Sequence, residues 1–168
     1  MTAKLIIDGK EFDIEILDPK LQEIVSQKKQ TGYEIVELTE SFYYVDVTGN
    51  VYGSTKINTN DGTALLINSN YYSSREVAEN NARADKLMRQ LRRFAVEHRE
   101  NKIDWNDDDQ AKYMITYRHE TERFFPEDVY VNQDFGAIYF DSAETACKAI
   151  DKFKEELLWY FTEYKDRL

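Results

Sequence analysis

Carboxylates are the side chains this sequence offers most freely for chemistry. The densest run is Asp107-Asp108-Asp109, with Asp104 just before it. Hard oxygen donors packed that closely suit a divalent cation. The run lacks the alternating Asp/Asn positions, the glycine and the distal glutamate of a calcium loop, and aspartates ahead of a helix or strand commonly cap its amides. His119-Glu120 with Glu122 sets an imidazole among carboxylates, but without the H-E-x-x-H spacing that puts two histidines on one helical face. His98, the other histidine, falls late in a helix, where the macrodipole favours a protonated ring. Two histidines so placed offer little for acid–base catalysis. The six glycines are scattered, and no G-K-[ST], no G-x-S-x-G and no cysteine–histidine pair of recognisable spacing occurs. No catalytic residue, metal or cofactor is therefore expected. The carboxylate count leaves room for a metal-dependent nuclease, but nothing in the sequence makes particular carboxylates converge.

Binding chemistry is better represented. The formal net charge is −10 across 168 residues. It is uneven: residues 75–102 carry 8 basic and 5 acidic groups, whereas residues 103–168 carry 8 and 16. A strongly acidic chain is repelled by phosphate backbones unless it has a local basic face. A partner that itself binds nucleic acid thus suits this chain better than nucleic acid does. The acidic last third contains Glu155, Glu156, Trp159, Tyr160 and Glu163, which with Asp107, Asp108 and Asp109 form the candidate partner-binding set. Carboxylates would match a basic groove and the rings would anchor it. The alternative is the basic stretch around Arg89, Arg92 and Arg93, supported by Arg83, Lys86 and Arg99, which could contact RNA or DNA phosphate. Its plain reading is a solvated helix face among acidic neighbours.

These residues need a scaffold, and the sequence repeats part of one. Tyr71-Tyr72-Ser73-Ser74-Arg75-Glu76-Val77-Ala78 is echoed 68 residues later by Tyr139-Phe140-Asp141-Ser142-Ala143-Glu144-Thr145-Ala146. Each copy reads as the end of a strand, a helix cap and the first turn of a long helix. The first helix carries an apolar stripe of Val77, Ala84, Leu87, Met88, Leu91, Phe94 and Ala95. The second carries Ala146, Ala149, Ile150, Phe153, Leu157, Tyr160, Phe161 and Tyr164. Ser73-x-x-Glu76 and Asp141-x-x-Glu144 have the spacing of caps. Cys147, the only cysteine, lies among apolar positions and is expected to be a packed thiol without a disulfide.

Upstream, Leu5 to Ile7 and Phe12 to Ile16 flank Asp8-Gly9-Lys10 and read as a hairpin. Asp18-Pro19 starts a short helix that ends before Thr31-Gly32. Strands are expected at 33–38, 42–47 and 51–57, with a polar loop at 58–62. A further edge strand is expected from Leu65-Leu66-Ile67 and Tyr71-Tyr72. Beyond Ile103-Asp104-Trp105-Asn106 come strands at 113–117, 129–131 and 137–140, with 119–128 as a loop. The expected class is α+β: antiparallel sheet segments with two long helices, preceded by a hairpin–helix unit. The expected division is a unit at 1–30 and a domain at 31–168, the latter built of halves at about 31–102 and 103–168. No run reaches 18 apolar residues and no basic-then-apolar leader opens the sequence, so a cytoplasmic protein is expected.

Several segments carry a likeness. They are Ala78-Glu79-Asn80-Asn81-Ala82-Arg83-Ala84-Asp85, Ile103-Asp104-Trp105-Asn106-Asp107, the Gln133-Asp134-Phe135-Gly136 run that leads to Ile138-Tyr139-Phe140, and Thr31-Gly32-Tyr33-Glu34. Through them the chain resembles a largely uncharacterised family of small acidic proteins from phages and integrative mobile elements of Gram-positive bacteria. The resemblance assigns no catalytic position. It implies a setting inside a bacterial host, where such proteins bind and block host machinery. An anti-CRISPR inhibitor of a type II effector nuclease, or of its guide-RNA complex, is the partner reading it brings.

Overall fold

The computed structural model describes residues 2–7, 10–15, 31–36, 40–55 and 60–164. The expected helix after Asp18-Pro19 lies outside the described residues. Strands β1 (Thr2–Ile7) and β2 (Lys10–Glu15) pair antiparallel, with Thr2 opposite Glu15 and Ile7 opposite Lys10. Lys10 therefore belongs to the second strand rather than to the turn. The fold is α+β, as the sequence pattern implied, and its described strands form three separate two-stranded sheets. No helix of the described residues is long and apolar enough to cross a membrane. The chain divides into two compact units, one of Met1–Tyr43 with Gly53–Arg75, the other of Tyr44–Tyr52 with Glu76–Leu168.

In the first unit, the strand expected at 33–38 does not form over its described part. Residues 33–36 are irregular, and side chains rather than a partner strand take up the Tyr33 and Val36 amides. The Glu34 carboxylate accepts from the Thr31 hydroxyl (2.7 Å), the Gly32 amide (3.0 Å) and the Ser73 hydroxyl (2.6 Å), while the Val36 amide donates to the Tyr71 hydroxyl (3.2 Å). These bonds hold Glu34 far below the usual carboxylate range, the Ser73 hydroxyl contributing most. The segment 60–67, read as loop and then strand, is helix α1 (Asn60–Ile67). Asp61 sits favourably in its first turn, and leucine is a strong helix former. The helix closes in a Schellman pattern: Asn70 donates to Leu65 O, Ser69 to Leu66 O, and Ser69 is left-handed at φ 54°.

Strands β3 (Phe42–Val45) and β4 (Val51–Ser54) form a hairpin shorter than expected. Asp46 closes its turn by accepting from the Thr48 amide and hydroxyl and the Asn50 amide. Gly49 takes a left-handed φ of 88° there. Tyr43 and Tyr72 then exchange a pair of backbone hydrogen bonds (2.7 and 2.9 Å). In the second unit Tyr113 and Phe140 do the same (2.9 and 2.7 Å). Tyr72 and Phe140 occupy equivalent positions of the sequence echo, so the repeat is one of backbone structure as well as of letters.

Helix α2 (Arg75–Glu97) begins at Arg75, and the Ser73 hydroxyl that the capping pattern reserved for it donates to Glu34. Its buried residues are Ala78, Ala82, Ala84, Leu87, Leu91, Phe94 and Ala95, close to the expected stripe. Strands β5 (Lys112–Arg118) and β6 (Arg123–Val129) pair antiparallel, Lys112 opposite Val129 and Arg118 opposite Arg123. The loop expected at 119–128 is thus only the turn between them, and the strand expected at 129–131 ends at Val129. Pro126 is tolerated because β6 is an edge strand. The strand expected at 137–140 reduces to the single bridge at Phe140.

The second capping assignment also shifts by one residue. Ser142 caps helix α3 (Ala143–Lys152), its hydroxyl accepting from the Thr145 amide (3.1 Å). Asp141 instead accepts from the Glu100 and Asn101 amides (2.7 and 2.8 Å), fastening the chain that follows α2. The expected long final helix is two, because Phe153 at φ −112°, ψ 18° interrupts it before α4 (Lys154–Thr162). Its ring meets Phe94 edge-on at 5.8 Å. Leu87, Leu91, Phe94, Ala95, Phe140, Ala146, Ala149 and Leu157 form the core of this unit. Cys147 is exposed, contrary to expectation: the α3 face that reaches the core carries Thr145, Ala146, Ala149 and Ile150, and Cys147 projects from another side.

Candidate protein-binding face

Among the described residues of the second unit, one cation is wholly buried. Lys112, at the start of β5, is 0% exposed. Its ammonium donates to Asp107 O (2.7 Å) and Tyr130 O (2.9 Å) and lies 5.3 Å from the Trp105 ring centroid. A lysine carries three donors and no acceptor, so backbone carbonyls and an aromatic face can together replace its water. The result ties the turn at 104–110 to the loop that follows β6.

That turn is closed by its own side chains. Asp104 Oδ1 accepts from the Asn106 amide (2.9 Å), and Asp107 Oδ1 accepts from the Asp109 and Gln110 amides (3.0 and 3.2 Å). Gln110 bridges it, accepting from the Asp104 amide and donating to Lys102 O. The Asn106 bonds, helped by the charges of Lys102 and Lys112, hold the Asp104 carboxyl below its ordinary value. Asp104, Asp107, Asp108 and Asp109 all remain exposed. Asp104 and Asp107 therefore act as turn-capping aspartates, and Asp108 and Asp109 add outward charge. Among the described residues no group of three His, Cys, Asp or Glu is placed to hold a metal ion.

The facing loop adds apolar surface. Tyr130 is 43% exposed, Val131 60%, and Phe135 stands fully clear of the protein. The Asp128 carboxylate beside the Tyr130 hydroxyl raises that phenol's pKa. The loop is braced by the Asp134 amide, which donates to the Tyr139 hydroxyl (2.6 Å), and Tyr139 packs edge-on against Trp105 at 4.8 Å. Trp105 thus touches both the buried ammonium and the loop brace. Asp128 and Asp134 are exposed as well. One end of the β5–β6 hairpin thereby gathers six aspartates with three exposed apolar side chains.

The other predicted residues sit elsewhere in this unit. Trp159 is only 7% exposed: the Arg83 guanidinium covers it at 4.0 Å and Tyr164 stacks on it at 5.4 Å. Arg83 also pairs with Glu156 (2.7 Å), and the Tyr164 hydroxyl donates to Asn81 (3.0 Å). Tyr160 is partly buried against the core. Of the α4 set, Glu155 and Glu163 face solvent, whereas the rings are committed to packing. Arg89, Arg92 and Arg93 are exposed on α2, and Arg93 pairs with Glu97 (3.3 Å). His98 stacks on Phe94 and shares a hydrogen bond with Phe94 O, while His119 is exposed beside Tyr117.

Tyr130, Val131 and Phe135 were absent from the sequence-derived set. The available signal was a large apolar residue within a glycine-turn segment, Asp134-Phe135-Gly136, which amphipathic periodicity does not report. No family model, curated protein or solved structure matches the chain.

Proposed function

We propose that this chain is a non-catalytic binding protein that inhibits a nucleic-acid-handling host protein by occupying a basic groove. The observation that carries the reading is the Lys112 tether, which fixes an exposed aspartate turn beside exposed Tyr130, Val131 and Phe135. Carboxylates give long-range attraction to a groove built for phosphate, and apolar side chains supply contacts that salt cannot screen. A type II CRISPR effector nuclease is the partner that the mobile-element resemblance suggests, in its apo or guide-loaded form. No described cluster of metal ligands supports the nuclease alternative. The exposed arginines of α2 keep direct nucleic-acid binding as a second reading, one that a gel shift with the wild-type protein settles.

The test is a binding and cleavage assay with the purified effector at low and high salt. Binding should weaken with salt yet persist, and DNA cleavage should fall as the protein is added. Replacing Asp107, Asp108 and Asp109 with asparagine should reduce the salt dependence, while Phe135→Ala should cost about 1–3 kcal/mol of affinity in any salt. Full cleavage with no complex at either salt removes this partner. A full-strength complex formed by Phe135→Ala would move the interface to another face.

A further inference from the structure

We infer that the outer edge of β5 is a strand-addition site, taking an extended peptide segment of a partner protein that carries a large apolar side chain. In an antiparallel ladder the backbone groups of alternate residues point to opposite edges. Tyr113 directs its amide and carbonyl away from β6, to Phe140. By the same alternation Ile115 and Tyr117 present theirs to that outer edge, and no described residue pairs with them. Continuing the Tyr113–Phe140 register would set Ile138 opposite Ile115, but residues 137–139 are irregular and the pairing stops after a single bridge.

A cavity opens at the same edge. Its volume is about 150 Å3, and its walls include Leu87, Leu91, Ile115, Ile138, Leu157 and Phe161. Met114 and Ile115, neighbours on β5, both line it. The volume is smaller than the about 300–1,000 Å3 typical of small-molecule sites and on the scale of one large apolar side chain.

The occupant follows from the polar groups in the wall. A lipid tail or small hydrocarbon would fill the cavity but leave the Ile115 and Tyr117 amides and carbonyls unpaired. A helix has no free backbone groups to give them. An extended backbone pairs with both and drops one side chain into the cavity. The two edges of this hairpin also differ. Pro126, opposite Ile115, removes an amide from the outer edge of β6 and so blunts it against strand pairing. Beyond Tyr113, β5 has no proline. Gly136 and Ala137, which directly follow Phe135, also line the cavity. The proposal stands apart from the carboxylate reading, since it concerns backbone pairing and apolar burial that salt does not weaken.

The test uses the full-length 15N-labelled protein and a short, terminally blocked peptide of alternating threonine and leucine. Binding should shift the Ile115 and Tyr117 amide resonances and slow their exchange. Ile115→Pro should weaken binding at least about tenfold, equal to about 1.4 kcal/mol. That proline removes no β5–β6 hydrogen bond, because the Ile115 amide points outward. The same peptide with N-methylated backbone should lose binding to the wild type, a control independent of the variant's folding. The inference is overturned if the N-methylated peptide binds as well, or if neither peptide binds. It is also overturned if decanoate binds while the peptide leaves Ile115 and Tyr117 unmoved, or if both amides are protected from exchange before any peptide is added.

Discussion

Lys112→Met tests whether the buried ammonium organises the candidate face. Methionine keeps most of the side chain's length and apolar volume while removing the charge and its donors. The Asp107 and Tyr130 carbonyls, bonded at 2.7 and 2.9 Å, each lose a charge-assisted partner. Such bonds contribute about 1.5–3 kcal/mol each, and the cation contact with Trp105 adds about 0.5–2 kcal/mol. Against this gross loss of roughly 4–8 kcal/mol stands the relief of a buried charge's desolvation, several kcal/mol. A net destabilisation of about 2–4 kcal/mol is expected. For a chain of this size that lowers Tm by roughly 4–16 °C. Urea unfolding, followed by far-ultraviolet circular dichroism and by tryptophan fluorescence, measures it directly. Hydrogen exchange should quicken at the Asp109 and Gln110 amides, whose bonds belong to the turn that the ammonium secures. If Lys112→Met unfolds within about 0.5 kcal/mol of the wild type, the size of a neutral surface change, the tether is not what holds the two segments together.

Three further outcomes follow from other contacts. Ser142→Ala removes the hydroxyl that accepts from the Thr145 amide and should cost about 1 kcal/mol in urea unfolding, whereas Asp141→Asn should leave the α3 cap intact. Arg83→Ala uncovers the Trp159 ring, so its fluorescence should shift to the red; because the Arg83–Glu156 pair is about two-fifths exposed, the stability change should stay near 1 kcal/mol or below. Acidification should destabilise the fold through Glu34, Asp46 and Asp104, all held below their ordinary values of 4.5, 3.8 and 3.8 by hydrogen bonds. A lowered folded-state pKa stabilises above the unfolded value and is lost as pH falls through the folded one, so the decline begins near pH 4 and steepens below it; Glu34→Gln should flatten it in pH-dependent unfolding.

Periodicity made the apolar stripes of the long helical segments readable in advance and hid most of the site. The α2 stripe was legible because Leu87, Leu91, Phe94 and Ala95 recur at helical spacing whatever they pack against. The segment 60–67 was misread because Asn60-Asp61-Gly62 looks like a loop, while Leu65-Leu66-Ile67 alone fits strand or helix. Residues 123–128 were misread because Pro126 argues against a strand unless that strand is an edge, and edges are not written in a sequence. Trp159 looked available to a partner, since nothing local foretells that Arg83, on another helix, covers it. The aspartates at 107–109 were found as a cluster, but the Lys112 bonds that set them beside Tyr130 cross 18 residues of chain.

By itself the sequence determined the α+β class, the N-terminal hairpin, the two buried helical stripes and the position of the repeat. Each of these depends on short-range pattern: alternation, helical spacing, turn pairs and caps. Only the tertiary structure decided that the echo at Tyr72 and Phe140 makes the same backbone bridge, with Tyr43 and Tyr113 as partners. It alone decided that the last helix breaks at Phe153, and that Lys112 is buried against two distant carbonyls. Burial, edge status and long-range hydrogen bonding belong to a residue's neighbours in space, and one-dimensional order does not name those neighbours.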